Sequence, residues 1–254
     1  HQEVSKQDMT YFDDEKKELL KLAGKPTVTA DGRRVELLCN IGKPDDCALV
    51  IERDGEGVGL FRTEFLYMDS KEQPGEEQQF EAYKKAAMTL KGKPVTIRTL
   101  DVGGDKDIPY LGLEKEDNPF MGFRAVRYCI KNQDLYKTQL RALMRASAFG
   151  DIRIMIPLVT CVEEVRAVKK LVAEIASELD QNGVAYNKDI KVGVMMETPA
   201  AAVIADLLAK EADFFSIGTN DLTGYTMAAD RGNANVAYLY SAYNPAVLRN
   251  IKSI

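Results

Sequence analysis

Short apolar runs recur along the chain at Val35–Cys39, Val58–Phe61, Val95–Thr99, Ile152–Leu158, Val192–Met196 and Phe214–Ile217. Runs of this length, apolar on both faces, predict strands of a covered parallel sheet. Between them the pattern changes to helical spacing. Helices are predicted over Asp45–Asp54, over Glu76–Leu90 with Phe80, Tyr83, Ala87 and Leu90 on one face, and over Leu135–Phe149, stopped by Gly150. Thr160 with Glu163 reads as a capping box that opens a helix to about Leu179. Thr198 as N-cap, with Pro199 at the first helical position, opens another. Ahead of all these, Met9–Leu22 reads as a helix, with acids early, Lys21 late, and Gly24 and Pro26 to end it. The regular β-then-α order predicts an α/β protein with a parallel sheet under helices.

The polar residues gather where these strands end. Strand two ends in Arg62-Thr63-Glu64, and strand three in Arg98-Thr99-Leu100-Asp101, followed by Gly103, Gly104, Asp105 and Lys106. Strand five ends in Glu197, and strand six in Gly218-Thr219-Asn220-Asp221, with Arg231 ten residues on. In a parallel β/α barrel all these ends open onto one face, where active sites of that fold are built. Glu197 and Asp221 suit a hard divalent cation such as Mg²⁺, which takes few protein oxygens and leaves the rest to water and substrate. Arg62, Arg98 and Arg231 suit a phosphate, through forked hydrogen bonds. The competing reading makes each arginine a rim ion pair, for instance Arg62 with Glu64.

Other features add little chemistry. The run Gly55–Gly59 precedes a strand, so it is a tight lead-in to strand two and no dinucleotide loop. Gly103-Gly104 is a weak phosphate-loop signal. Met195 and Met196 read as core filling. The chain has 254 residues, enough for one large domain or two small ones. With 34 Lys and Arg against 39 Asp and Glu, the net charge is −5, which excludes a generally basic nucleic-acid binder. Cys39, Cys47, Cys129 and Cys161 form no C-x-x-C pair and read as reduced, inert thiols of a cytoplasmic protein. His1, the single histidine, reads as a linker remnant rather than a catalyst. No apolar run approaches the ~20 residues of a membrane helix.

The stretches GEGVGLFRTEFLYMD (55–69), IRTLDVGGDKDIPYL (97–111), NPFMGFRAVR (118–127), VGVMMETPAAA (192–202) and FFSIGTNDLTGYTMAADRGN (214–233) resemble the C-terminal domain of the Enzyme I family. These are the phosphoenolpyruvate–protein phosphotransferases of the bacterial sugar phosphotransferase system, and the likeness runs from about residue 15 to 254. It implies a TIM (β/α)8 barrel of the phosphoenolpyruvate-binding type over residues 25–254, after a linker helix in residues 1–24. It implies that Arg62 and Arg98 hold the substrate phosphate and that Glu197 and Asp221 ligate Mg²⁺. Asn220 and Arg231 would complete the substrate site, with Lys106 and Arg124 as further cations facing the anion. It also implies a homodimer, and transfer of the phosphoryl group to a histidine on a separate N-terminal domain and then to a histidine-containing phosphocarrier protein.

The departures matter equally. The family's phosphoacceptor histidine motif is absent, and so is the G-x-C-G-E motif that carries its proton-donating cysteine on strand seven. Strands seven and eight are missing as well. The chain is therefore expected to be a truncated barrel that supplies no catalytic residue of its own and does not turn over phosphoenolpyruvate unaided. The related domain of pyruvate phosphate dikinase or phosphoenolpyruvate synthase is the neighbouring alternative. A non-catalytic phosphoenolpyruvate-binding regulatory module is the alternative from another class.

Overall fold

Six short strands pair in chain order into one sheet. The computed structural model describes residues 14–15, 17–103 and 108–254. The strands are β1 (Cys39–Ile41), β2 (Val58–Arg62), β3 (Val95–Arg98), β4 (Ile152–Ile156), β5 (Lys191–Met196) and β6 (Phe215–Ile217). Every pairing is parallel and the spatial order is β1-β2-β3-β4-β5-β6. Asn40 of β1 and Ser216 of β6, from the two lateral strands, line the same cavity. The sheet is therefore rolled into a curled half-barrel rather than flat.

Helices follow the strands along the chain. They are α1 (Asp46–Glu52), α2 (Glu64–Met68), α3 (Glu76–Thr89), α4 (Ala125–Lys131), α5 (Gln133–Ala146), α6 (Val162–Gln181), α7 (Pro199–Val203), α8 (Ala205–Leu208), α9 (Thr219–Met227) and α10 (Pro245–Ser253). Helix α6 buries Val165, Val168, Leu171, Ile175 and Leu179, a stripe at helical spacing that faces the sheet. Helix α5 buries Leu135, Tyr136, Leu140 and Leu143 in the same manner. On the outer wall Arg141 reaches Glu76 of α3 (3.3 Å) and Glu178 of α6 (2.5 Å), so one side chain ties three helices.

Most predicted elements are present with ends moved by one or two residues. The first strand is the largest shift: it occupies Cys39–Ile41, not Val35–Cys39. Val35 and Leu37 are exposed, and their backbone donates elsewhere, Val35 to the Thr27 carbonyl (2.9 Å) and Leu37 to the Glu56 side chain (2.7 Å). The capping box of α6 is also one residue later than the Thr160–Glu163 pair. Its N-cap is Cys161, and the Glu164 carboxylate accepts from the backbone of Thr160 (2.6 Å) and Cys161 (3.2 Å). Thr198 does cap α7, accepting from Ala201 N–H at 3.1 Å. Helices α2, α4, α9 and α10 have no predicted counterpart. Of the predicted Met9–Leu22 helix, residues 14–15 and 17–20 are helical and the part before residue 14 lies outside the described residues, as does His1.

The lead-in to β2 needs glycine. Gly57 has φ +154°, and a Cβ there would lie 2.7 Å from the Pro94 carbonyl, which accepts from Val58 N–H at 2.8 Å. All four cysteines are free; Cys47 and Cys129 are buried, while Cys39 and Cys161 are half-buried. No helix among the described residues is long and apolar enough to cross a membrane.

Candidate active site

A cavity of about 760 Å³ opens at the carboxyl ends of the strands. Parallel pairing alone places the last residue of every strand on this face. Register then brings cations together: Arg62 of β2 is the direct partner of Arg98 of β3. The cavity collects Arg62, Arg98, Arg124, Glu197, Asn220, Asp221 and Arg231, seven of the eight residues singled out from the sequence. The eighth, Lys106, lies outside the described residues, with Gly104 and Asp105.

The arginines do not sit as a simple rim. Asp101 accepts from Arg98 Nη1 (2.9 Å) and from Arg124 Nη2 (2.6 Å), so one carboxylate joins two guanidinium groups. The second fork of Arg98 goes to Glu64 (3.0 Å). Glu64 is therefore not a partner of Arg62, as the rim reading would have it; Arg62 is exposed and makes no ion pair among the described residues. Side-chain exposures of 13% for Arg98, 8% for Arg124 and 4% for Asp101 place this charge cluster largely out of water. Burial opposes the charge on Arg98, but Asp101, Glu64 and Glu197 outweigh it and hold the guanidinium pKa above its ordinary value. Arg124 behaves alike, with Asp101 outweighing burial.

Two donors remain. Arg98 Nε and Arg124 Nε are buried with no hydrogen-bond partner among the described residues. Buried donors are nearly always paired, so these two set the cluster apart from the rest of the described residues. The Phe120 ring lies 5.6 Å from the Arg124 guanidinium and itself lines the cavity.

Beside the arginines stand Glu197, at the end of β5, and Asp221, in the first turn of α9. Glu197 is 2% exposed, and its Oε1 accepts from Leu158 N–H at 2.6 Å. Burial, then the charges of Asp101 and Asp221, push its carboxyl up to about 8, against the pull of Arg98 and of the Leu158 N–H. Gly218 makes room for it: a Cβ there would lie 2.8 Å from Glu197 Cβ and Oε2. Asp221 is less enclosed, with its carboxylate 3.9 Å from Arg124 Nη2. Asn220 lies beside it, its carbonyl accepting from Tyr240 (2.7 Å), and Arg231 is exposed at the mouth.

Two crowded carboxylates from neighbouring strand ends, one raised by burial and by nearby like charges, fit the oxygen-only donor set of Mg²⁺. No group of three or more His, Cys, Asp or Glu among the described residues has metal-holding geometry. Backbone strain adds to the picture. Ala125, next to Arg124, has φ +52°, and Leu158, whose N–H holds Glu197, has φ +55°. Such conformations cost about 1–3 kcal/mol for a residue with a side chain, and they cluster at functional sites. Sequence reasoning placed Asp101 and Glu64 at strand ends but gave them no part in the site; no local signal assigns a carboxylate to an arginine tens of residues away.

Comparison with known proteins adds a family. The model described as "PEP-utilising enzyme, PEP-binding domain" matches residues 16–254. The chain is similar to phosphoenolpyruvate-protein phosphotransferases of Priestia megaterium (54% identical, 96% of this chain) and Geobacillus stearothermophilus (55%, 96%). It is also similar to that of Bacillus subtilis strain 168 (54%, 93%). In each case the match covers 42% of the relative, so the chain spans less than half the length of these proteins.

Proposed function

The chain belongs to the PEP-binding domain family of PEP-utilising enzymes, and from that premise we propose that its cavity binds phosphoenolpyruvate with Mg²⁺ for phosphoryl transfer to a protein histidine. The observation that carries this reading is the gathering of Arg62, Arg98, Arg124 and Arg231 in one cavity with Glu197 and Asp221. Phosphoenolpyruvate carries a phosphate for the arginines and a carboxylate that can share a metal with the acids.

Arg62 and Arg98 hold the phosphate, with Arg124, Arg231 and Lys106 as further cations around the anion. Asn220 completes the substrate site. Arg98 and Arg124 stay charged at any working pH, so their positive charge is fixed before the substrate arrives. Glu197 and Asp221 would ligate Mg²⁺, which when bound meets negative charge on substrate oxygens. The residues of this chain position the phosphoryl group and stabilise its charge, the main demands of phosphoryl transfer. The acceptor histidine belongs to a separate N-terminal domain, from which the group passes to a histidine-containing phosphocarrier protein. In this reading the six strands are consecutive members of a TIM (β/α)8 barrel spanning residues 25–254, behind a linker helix in residues 1–24. The protein works in the cytoplasm as a homodimer.

Titration calorimetry with phosphoenolpyruvate, with and without Mg²⁺, tests the reading. Mg²⁺-dependent binding of phosphoenolpyruvate that inorganic phosphate cannot match is expected. Equal binding without Mg²⁺, or none at all, would overturn it.

A further inference from the structure

Behind the charge cluster lies a buried chain of hydrogen bonds that the sequence did not announce. Gln139 of α5 is completely buried in an otherwise apolar stripe. Its Oε1 accepts from Leu100 N–H (2.9 Å), and its Nε2 donates to Thr63 Oγ1 (3.2 Å) and to Tyr83 Oη (3.2 Å). Thr63 Oγ1 in turn donates to the Arg98 carbonyl (2.9 Å), and Tyr83 Oη to Gln79 Oε1 (3.0 Å). Gln79 Nε2 closes the far end on the Pro74 carbonyl (3.0 Å).

The direction of these bonds is forced. The one hydroxyl hydrogen of Thr63 goes to a carbonyl, so Thr63 must accept from Gln139, and the amide nitrogen must face it. The amide oxygen then meets Leu100 N–H, a donor. No other orientation of the side chain satisfies both ends. Gln139 thus grips two neighbouring strand ends at once. Thr63 stands between Arg62 and Glu64; Leu100 precedes Asp101, and the bonded carbonyl belongs to Arg98. Arg62, Glu64 and Asp101 each adjoin a residue that this amide holds, and Arg98 is one hydrogen bond further on, through Thr63.

We propose that Gln139 is a positioning residue that sets the spacing of Arg62, Glu64, Arg98 and Asp101. The proposal rests on the reading that the cavity takes phosphoenolpyruvate. The network has two branches, and only one leads to the site: the Thr63–Leu100 branch runs inward, whereas the Tyr83–Gln79 branch runs outward to α3. A structural role would make both branches matter only for stability. A positioning role makes the inward branch matter for the site.

The test compares Gln139→Met, close in shape but without the amide, with Tyr83→Phe, which cuts only the outward branch. Two quantities are read well below the melting temperature of each variant. One is the mobility of the Arg98 Nε–H by ¹⁵N relaxation without ligand; the other is the affinity for phosphoenolpyruvate with Mg²⁺. Gln139→Met is expected to mobilise Arg98 and to weaken binding roughly tenfold to a hundredfold. Tyr83→Phe should lower the melting temperature and change neither quantity. Unchanged Arg98 mobility and affinity in Gln139→Met, or equal losses in both variants, would overturn the proposal. Should Gln139→Met not fold, Thr63→Val cuts the inward branch one bond nearer the site and is read in the same way. If the unaltered chain binds no phosphoenolpyruvate, the functional reading fails, and the ligand-free mobility of Arg98 still decides the role of Gln139.

Discussion

Asp101 and Arg124 meet at 2.6 Å across 23 residues of chain, and the same carboxylate holds Arg98. Removing that carboxylate leaves two guanidinium groups in a largely dry site, with Glu64 as the remaining ion-pair partner of Arg98 among the described residues. Breaking a buried pair from one side costs about 3–5 kcal/mol. Asp101→Asn should therefore lower unfolding stability by about that amount in urea titrations. A loss of under about 1 kcal/mol would mean that the pair is screened as a surface pair is.

Arg62 offers the cleaner test of phosphate binding. Arg98 is anchored by Glu64 and Asp101, so its loss removes stability together with affinity. Arg62 is exposed and has no ion pair among the described residues, so its loss should touch the ligand alone. Charge-assisted hydrogen bonds contribute about 1.5–3 kcal/mol, so Arg62→Ala should weaken phosphoenolpyruvate binding roughly tenfold to a hundredfold. The melting temperature should not move. Full affinity in this variant would remove Arg62 from the site.

Glu197 makes the metal-free protein sensitive to pH. Its carboxyl is raised from 4.5 to about 8 in the fold, so folding favours the protonated form. Its contribution to stability is complete below 4.5 and is lost as pH climbs toward about 8. In EDTA the melting temperature should fall between about pH 5 and pH 8, and Glu197→Gln should flatten that fall. The same variant should lose Mg²⁺-dependent binding of phosphoenolpyruvate. An equal fall in both proteins would place the titrating group elsewhere.

The cysteines should divide by burial. Burial, then Asp46 and Asp45, raise the Cys47 thiol to about 11, and burial with Asp101 raises Cys129 further. The thiolate is the reactive form. At about pH 8, iodoacetamide should spare Cys47 and Cys129 in the folded protein and modify them after denaturation, as peptide mass spectrometry would show. Rapid labelling of Cys129 in the native state would contradict its place in the core.

What the sequence determined was set by local physics. Strands that bury at least one face carry short apolar-rich runs, so five of the six stood out within two residues of their ends. Thr198 and Pro199 announced α7 because a cap needs only its own next three residues. The gathering of Arg62, Arg98, Glu197 and Asp221 was legible because parallel strands must all end on one face. The tertiary structure alone decided which charges meet. Glu64 bonds Arg98, 34 residues away, and leaves Arg62 exposed. Register decides that, because it is fixed by the packing of whole strands and not by the residues beside Glu64. For the same reason nothing around Gln139 on α5 disclosed its grip on Thr63, 76 residues distant. Even the first strand moved to Cys39–Ile41, because the backbone of Val35 and Leu37 bonds outside the ladder, to Thr27 and Glu56, and a run of apolar letters does not record where its hydrogen bonds go.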